Sequence, residues 1–229
     1  MEQTGNSTEI EQRLRAVLDT IPDGVGLVAV SKFHPAEAIR EARNAGQLLF
    51  GESRVQELAA KVAELGQDEY KWHFIGHLQS NKVRQLLRLR PAMIESVDTE
   101  KLLGEIDREA ERQGIVQKVL MQLHVAREET KFGFSPEELL DYFRCRRFES
   151  LKAVHICGVM GMASNVEDEG RIRADFDAIR GTYDEILRMC PDLRGFDTVS
   201  MGMSGDYKLA VDAGSTLVRV GTAIFGNRV

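Results

Sequence analysis

The stretch VGLVAVSKFHP, residues 25–35, carries the first decision about the fold. From Val25 to Val30 every residue is apolar or glycine, the composition of a strand buried on both faces of a parallel sheet. Ser31 is a single polar step, Lys32 ends the strand, and His34-Pro35 open a helix. A buried strand that hands on to a helix is half of a repeating unit, and the rest of the chain repeats it.

Working outward, seven further apolar runs read as strands: Leu48–Gly51, Trp72–Gly76, Met93–Val97, Val116–Val125, Ala153–Met160, Phe196–Met201 and Thr216–Val220. The segments between them carry helix signals. SPEELLDYF has Ser135 as N-cap, Pro136 at the first helical position and Glu138 completing a capping box. DTEKLLGEIDREAERQG opens on Asp98 or Thr99 and stops at Gly114, and GDYKLAVDAG stops at Gly214. No strand pair is joined by a hairpin turn, so the sheet is expected to be parallel.

Eight such units predict an α/β fold, a single (β/α)8 TIM-type barrel. Gly221 to Val229 are too few for a full eighth helix. Ser7 to Thr20, however, form an amphipathic helix with Ile10, Leu14, Val17 and Leu18 on one face, and it is expected to complete the outer ring. An open doubly wound sheet is the alternative, and it usually has fewer strands. With no linker or composition break, residues 1–229 are expected to form one domain, 1–24 being its N-terminal helical segment.

The chain has 229 residues, 43% hydrophobic and 29% charged, with a net charge of −6 and a pI near 5.5. That balance argues against a nucleic-acid partner. The basic groups Arg84/Arg88/Arg90 and Arg144/Arg146/Arg147 suit solvated helix faces. No apolar run reaches membrane-spanning length, and the N-terminus lacks the apolar block of a secretory signal. Cys145, Cys157 and Cys190 form no metal or redox motif, so a cytoplasmic location is expected.

In this architecture function collects at the carboxyl ends of the strands. Those ends carry Lys32, Glu52, His77, Asp98, His124, Met160, Met201 to Ser204, and Arg219 to Thr222. A lysine that ends a buried strand loses solvation and keeps a free amine for Schiff-base chemistry. It can equally reach past the rim to water, and position alone does not choose. Arg219 interrupts an apolar strand and needs a buried partner. Gly221-Thr222, with Ser200, Ser204 and the glycines of SMGMSGD, point to a phosphate site after the seventh and eighth strands.

Metal binding fits less well, because His73 and His77 sit about 13 Å apart if WHFIGH is a strand. His155 reads as a core histidine and His34 as a helix-start residue; Cys157 lacks a base that would make it a nucleophile. Met160, Met162, Met201 and Met203 suit packing or a ligand face. A lysine facing a phosphate cradle suggests a phosphorylated carbonyl ligand. Pyridoxal 5′-phosphate (PLP) and a sugar phosphate both satisfy that geometry.

VAVSKFHP, FGESRVQE, WHFIGHLQSNK, TKFG, GVMGM and SMGMSGDYKLAVDAGSTLVRVGTAIFG, in this order from Val25 onward, resemble the pyridoxal phosphate homeostasis protein family, whose barrel is similar to the amino-terminal barrel of alanine racemase. The resemblance implies a monomeric PLP-binding protein of vitamin B6 and amino-acid homeostasis, without established catalytic activity. It implies that Lys32 forms the Schiff base, that Ser200, Gly221 and Thr222 hold the phosphate with Ser204 close by, and that Arg219 faces the pyridine nitrogen. Ser53 and Met201 belong to the implied cofactor surroundings. Lys131 matches a family lysine that suits a second, transient PLP contact or a solvated loop. Ser53 and His124 stand where the family commonly has asparagine.

Three functions follow: a PLP carrier serving PLP-dependent apo-enzymes, a racemase-like PLP enzyme, and a lysine aldolase acting on a sugar phosphate. A racemase needs a tyrosine on the opposite cofactor face; Tyr207 is the tyrosine nearest a strand end, but on a helix start. An aldolase needs a second acid/base near Lys32, for which Glu52 and Asp98 are available. The family resemblance favours the carrier.

Overall fold

A computed structural model of the chain describes residues 8–66, 68–126 and 132–227. Eight parallel strands close into a barrel in chain order: β1 Gly26–Val30, β2 Leu49–Glu52, β3 Lys71–Phe74, β4 Met93–Val97, β5 Gln117–His124, β6 Val154–Met162, β7 Thr198–Ser200 and β8 Leu217–Val220. At the closing seam β8 pairs with β1, with Gly26 opposite Leu217 and Val28 opposite Arg219. Every expected apolar run overlaps one of these strands, so the TIM-type barrel holds.

The helices are α1 Glu9–Leu18, α2 Ala36–Asn44, α3 Val55–Leu65, α4 Val83–Arg88, α5 Glu100–Gln113, α6 Pro136–Arg144, α7 Glu169–Met189, α8 Tyr207–Asp212 and α9 Thr222–Phe225. Their ends follow the local chemistry. Thr99 caps α5 by accepting the Leu102 N–H at 3.2 Å, and Gly114 ends it in the left-handed region. The Ser135–Glu138 capping box opens α6. Thr8 caps α1 by accepting the Glu11 N–H, and Ser7, the expected start of this helix, lies outside the described residues. Helix α9 is a single turn, and α1 packs beside it and α2 with Leu14 and Val17 buried. The amino-terminal helix therefore takes the place that α9 is too short to fill.

Strand alternation divides the interior in two. Outward-facing Phe50, Trp72, Phe74, Ile94 and Val159 pack under the helices with Phe143 and Phe176. Burying each such side chain contributes about 1.5–3 kcal/mol. Inside the barrel, Leu120, Cys157 and Met160 form a small separate cluster against Met93. Gly158 marks a break in the β5–β6 register, where a Cβ would lie 1.8 Å from the Thr198 carbonyl oxygen. The lumen is not wholly apolar: His73, Glu95, Ser200 and Arg219 are all buried, and they form the floor of the site described next.

Candidate functional site

Lys32 follows β1 at the carboxyl end of the barrel, where it is half-buried. The chain turns sharply there: Phe33 has φ 68°, a left-handed conformation that bulky residues avoid. The His34 N–H closes the turn on the Ser31 carbonyl at 3.1 Å, and the His34 ring stacks on Phe225 at 5.2 Å. His34 is thus a packed residue of the turn, and Pro35 is the N-cap of α2.

Behind this turn lies a buried charge cluster. Lys61 of α3 donates to the Ser31 carbonyl at 2.8 Å, to Glu52 Oε1 at 2.6 Å and to Glu57 Oε1 at 2.8 Å. Ser31 Oγ also donates to Glu52 Oε1, at 2.6 Å. Burial pushes the Glu52 carboxyl up, and the bonds from Lys61 and Ser31 oppose that rise without cancelling it. Glu52, expected as a strand-end group near the amine, is therefore occupied on the outer side of β2.

Across the lumen runs a second polar chain. His73 Nδ1 and Glu95 Oε1 are 2.6 Å apart, with the ring N–H donating to the carboxylate. Ser200 Oγ donates to Glu95 Oε2 at 2.6 Å, and Arg219 Nη1 donates to Ser200 Oγ at 2.6 Å. Arg219 Nη2 reaches the Gly161 carbonyl at 2.9 Å, and Nη1 lies 3.7 Å from Glu95 Oε2. Burial alone would raise the Glu95 carboxyl, but His73, Arg219 and Ser200 outweigh it and hold the group below the ordinary carboxylate value. Burial lowers the Arg219 guanidinium, and Glu95 opposes that. Glu95 is the partner that Arg219 requires.

The cradle forms on the strand neighbouring Lys32. The Gly221 N–H donates to Ser204 Oγ at 3.1 Å and the Ala223 N–H points to the same oxygen at 3.5 Å. Gly221 lies against β1: a Cβ there would stand 3.2 Å from the Val30 carbonyl oxygen. Gly202 has φ 94°, and a Cβ on it would fall 2.6 Å from that of Ala210, so the SMGMS turn closes only with glycine. Thr222 is exposed at the rim.

The structure separates the expected residues. Lys32, Ser204, Gly221 and Thr222 share the β1–β8 edge of the mouth. Ser200, expected with the phosphate group, instead gives its fully buried hydroxyl to Glu95 and Arg219, a layer below. Met201 turns outward into the packing between sheet and helices, and its N–H is bonded to the Leu217 carbonyl. Ser53 lines a cleft of about 230 Å³ with Arg54, His77 and Lys82. His77 Nδ1 is 2.8 Å from Asp98 Oδ2, which commits Asp98 to that ring. His124 lines another cavity, of about 290 Å³, with Met162 and Met203. The Tyr207 hydroxyl meets Thr20 Oγ1 at 2.7 Å and is turned from the mouth. Lys131 lies outside the described residues.

Sequence reasoning missed Glu95, Glu57 and Lys61. Glu95 carried a signal, an acid inside the otherwise apolar run of β4, and so did Lys61, a lysine on the same helical face as Val55 and Leu58. Among the described residues no group of three His, Cys, Asp or Glu could hold a metal ion, and no helix is long and apolar enough to cross a membrane.

The donor set suits a phosphorylated aldehyde on a nitrogen heterocycle. An amine stands one strand from a pair of amides and a hydroxyl that can take phosphate oxygens. A guanidinium fixed by Ser200 and the Gly161 carbonyl lies buried in the floor.

Comparison with known proteins agrees with that chemistry. The family model described as alanine racemase, N-terminal domain, matches residues 6–229. A pyridoxal phosphate homeostasis protein of Aquifex aeolicus (strain VF5) is 39% identical over 206 residues, 88% of this chain and 86% of that one. One from Schizosaccharomyces pombe is 38% identical over 205 residues, 88% of this chain and 84% of that one. PipY of Synechococcus elongatus PCC7942, solved with PLP bound, matches with a TM-score of 0.88 at 39% identity, covering 95% of this chain and 100% of PipY.

Proposed function

The chain belongs to the pyridoxal phosphate homeostasis protein family, built on the alanine racemase N-terminal domain, and from that premise we propose that it holds PLP as a Schiff base on Lys32. In this reading Ser204, Gly221 and Thr222 take the phosphate, Arg219 faces the pyridine nitrogen, and Ser200 works beneath as the hydroxyl that fixes Arg219. Ser53 borders the site, while Met201 backs β7 from outside. The observation that carries the reading is the Lys32 turn lying against the Ser204–Gly221 cradle across the β1–β8 seam.

When bound, PLP supplies an aldehyde for the lysine and a ring that can withdraw electrons. Here the ring would meet a cation that is always charged, which disfavours protonation of its nitrogen and weakens that withdrawal. The Tyr207 hydroxyl is bonded to Thr20. Both features favour holding the cofactor over turning it over, so the chain acts as a carrier in vitamin B6 and amino-acid homeostasis, not as a racemase. It works as one cytoplasmic, monomeric domain that supplies PLP-dependent apo-enzymes, with neither nucleic acid nor membrane as partner.

The test is spectroscopic and chemical. Wild-type protein with added PLP should show a visible absorption band, and borohydride reduction should leave the added mass on the peptide containing Lys32. Lys32→Ala should abolish both. Failure of the wild-type protein to take up PLP, or mass on another lysine, would overturn the reading. Racemisation of an amino acid well above the rate of free PLP would favour the enzyme instead.

A further inference from the structure

We propose that Glu57 and Lys61 of α3 are positioning residues for Lys32, a clamp that fixes both peptide neighbours of the anchor and so sets how tightly it keeps its aldehyde. The inference rests on the reading of Lys32 as the PLP anchor. Lys61 uses its three donors on the Ser31 carbonyl, Glu52 Oε1 and Glu57 Oε1, at 2.6–2.8 Å. Glu57 Oε1 in turn accepts the Phe33 N–H at 2.5 Å. The residue before Lys32 is thus tied to Lys61 and the residue after it to Glu57, and those two side chains are bonded to each other.

This arrangement does more than dock α3 on the barrel. Phe33 has φ 68°, a conformation that a bulky side chain keeps only where its surroundings over-determine it. The bond from Phe33 to Glu57 supplies one restraint, and Arg54, whose guanidinium carbon lies 5.1 Å from the Phe33 ring centroid, supplies another. The Lys61 side chain is only 8% exposed and Glu52 is fully buried, so the Lys61–Glu52 pair is shielded from water, while Glu57 at 20% exposure reaches out to the Phe33 N–H. Ser31 and Glu52 lie at the carboxyl ends of β1 and β2, on the outer side of the strands. The clamp holds the turn through its backbone, at the peptide groups on either side of Lys32.

The experiment compares wild type, Glu57→Leu and Glu57→Gln, each titrated with PLP by visible absorbance, with the ligand-free melting temperature measured in parallel. Leucine removes the acceptor for the Phe33 N–H, whereas glutamine keeps an oxygen there. The leucine variant should bind PLP about tenfold more weakly at a little-changed melting temperature, and the glutamine variant should stay within about threefold of wild type. Leucine binding as tightly as wild type, or both variants weakening alike, would overturn the clamp. Hydrogen exchange at the Phe33 amide of ligand-free wild type decides independently of how the variants fold: protection supports the clamp, and exchange at the rate of an open loop defeats it. A wild-type protein that takes up no PLP would instead sink the function proposed above.

Discussion

Replacing Arg219 with leucine probes the floor of the site directly. The side chain is 4% exposed, donates to Ser200 Oγ and the Gly161 carbonyl, and faces a fully buried Glu95 carboxylate. Arg219→Leu leaves that carboxylate with His73 and Ser200 alone and strips two buried acceptors of their donor. Breaking a buried pair from one side costs about 3–5 kcal/mol. At about 2–4 °C per kcal/mol for a chain of this size, the melting temperature should fall by roughly 6–20 °C. Differential scanning calorimetry of the ligand-free protein measures this without any cofactor. The double variant Arg219→Leu/Glu95→Leu removes both charges and should recover about 2 kcal/mol or more relative to the sum of the single variants. Single effects that simply add, or an Arg219→Leu loss under about 1 kcal/mol, would mean that the floor is not an energetically coupled network.

Two further outcomes follow from the buried titratable groups. Glu95 has a folded pKa below the ordinary value of 4.5, so its contribution is complete above that pH and is lost as pH falls through the lower, folded value. The melting-temperature gap between wild type and Glu95→Gln should therefore be widest above pH 4.5 and narrow in acid; a gap that widens in acid would contradict the assignment. Cys145 is exposed, whereas Cys157 and Cys190 are buried and burial pushes their thiols up. An aromatic disulfide reagent should modify Cys145 rapidly in the native protein and reach the other two only after denaturation, and rapid reaction at Cys157 would show that the lumen is open.

The barrel was legible because strands buried on both faces write themselves as unbroken apolar runs. The differences lie at strand ends, where Phe196 and Met201 flank a shorter β7 and β6 runs on to Met162. Lys32 and Gly221 were legible for a related reason: residues just after neighbouring strands must meet at the mouth. What the sequence could not resolve was phase. Ser200 and Met201 are adjacent, so one faces the lumen when the other faces the helices. A short β7 followed by a glycine-containing turn leaves that choice to the register with β8. Lys61 was hidden differently, since lysine on a helix normally marks the solvent side and only its alignment with Val55 and Leu58 argued otherwise.

The chain from His73 through Glu95, Ser200 and Arg219 to Gly161 joins β3, β4, β7, β8 and β6 across the lumen. The groups that hold the Arg219 guanidinium are the same groups that brace opposite walls of the sheet. On the proposed reading, ligand selectivity and resistance to unfolding are inherited together at the floor, and a variant that alters one there should alter the other. At the rim, Ser53 and His124 line clefts and take no part in that chain. On the proposed reading, substitutions there should change ligand preference while the chain beneath keeps the barrel closed.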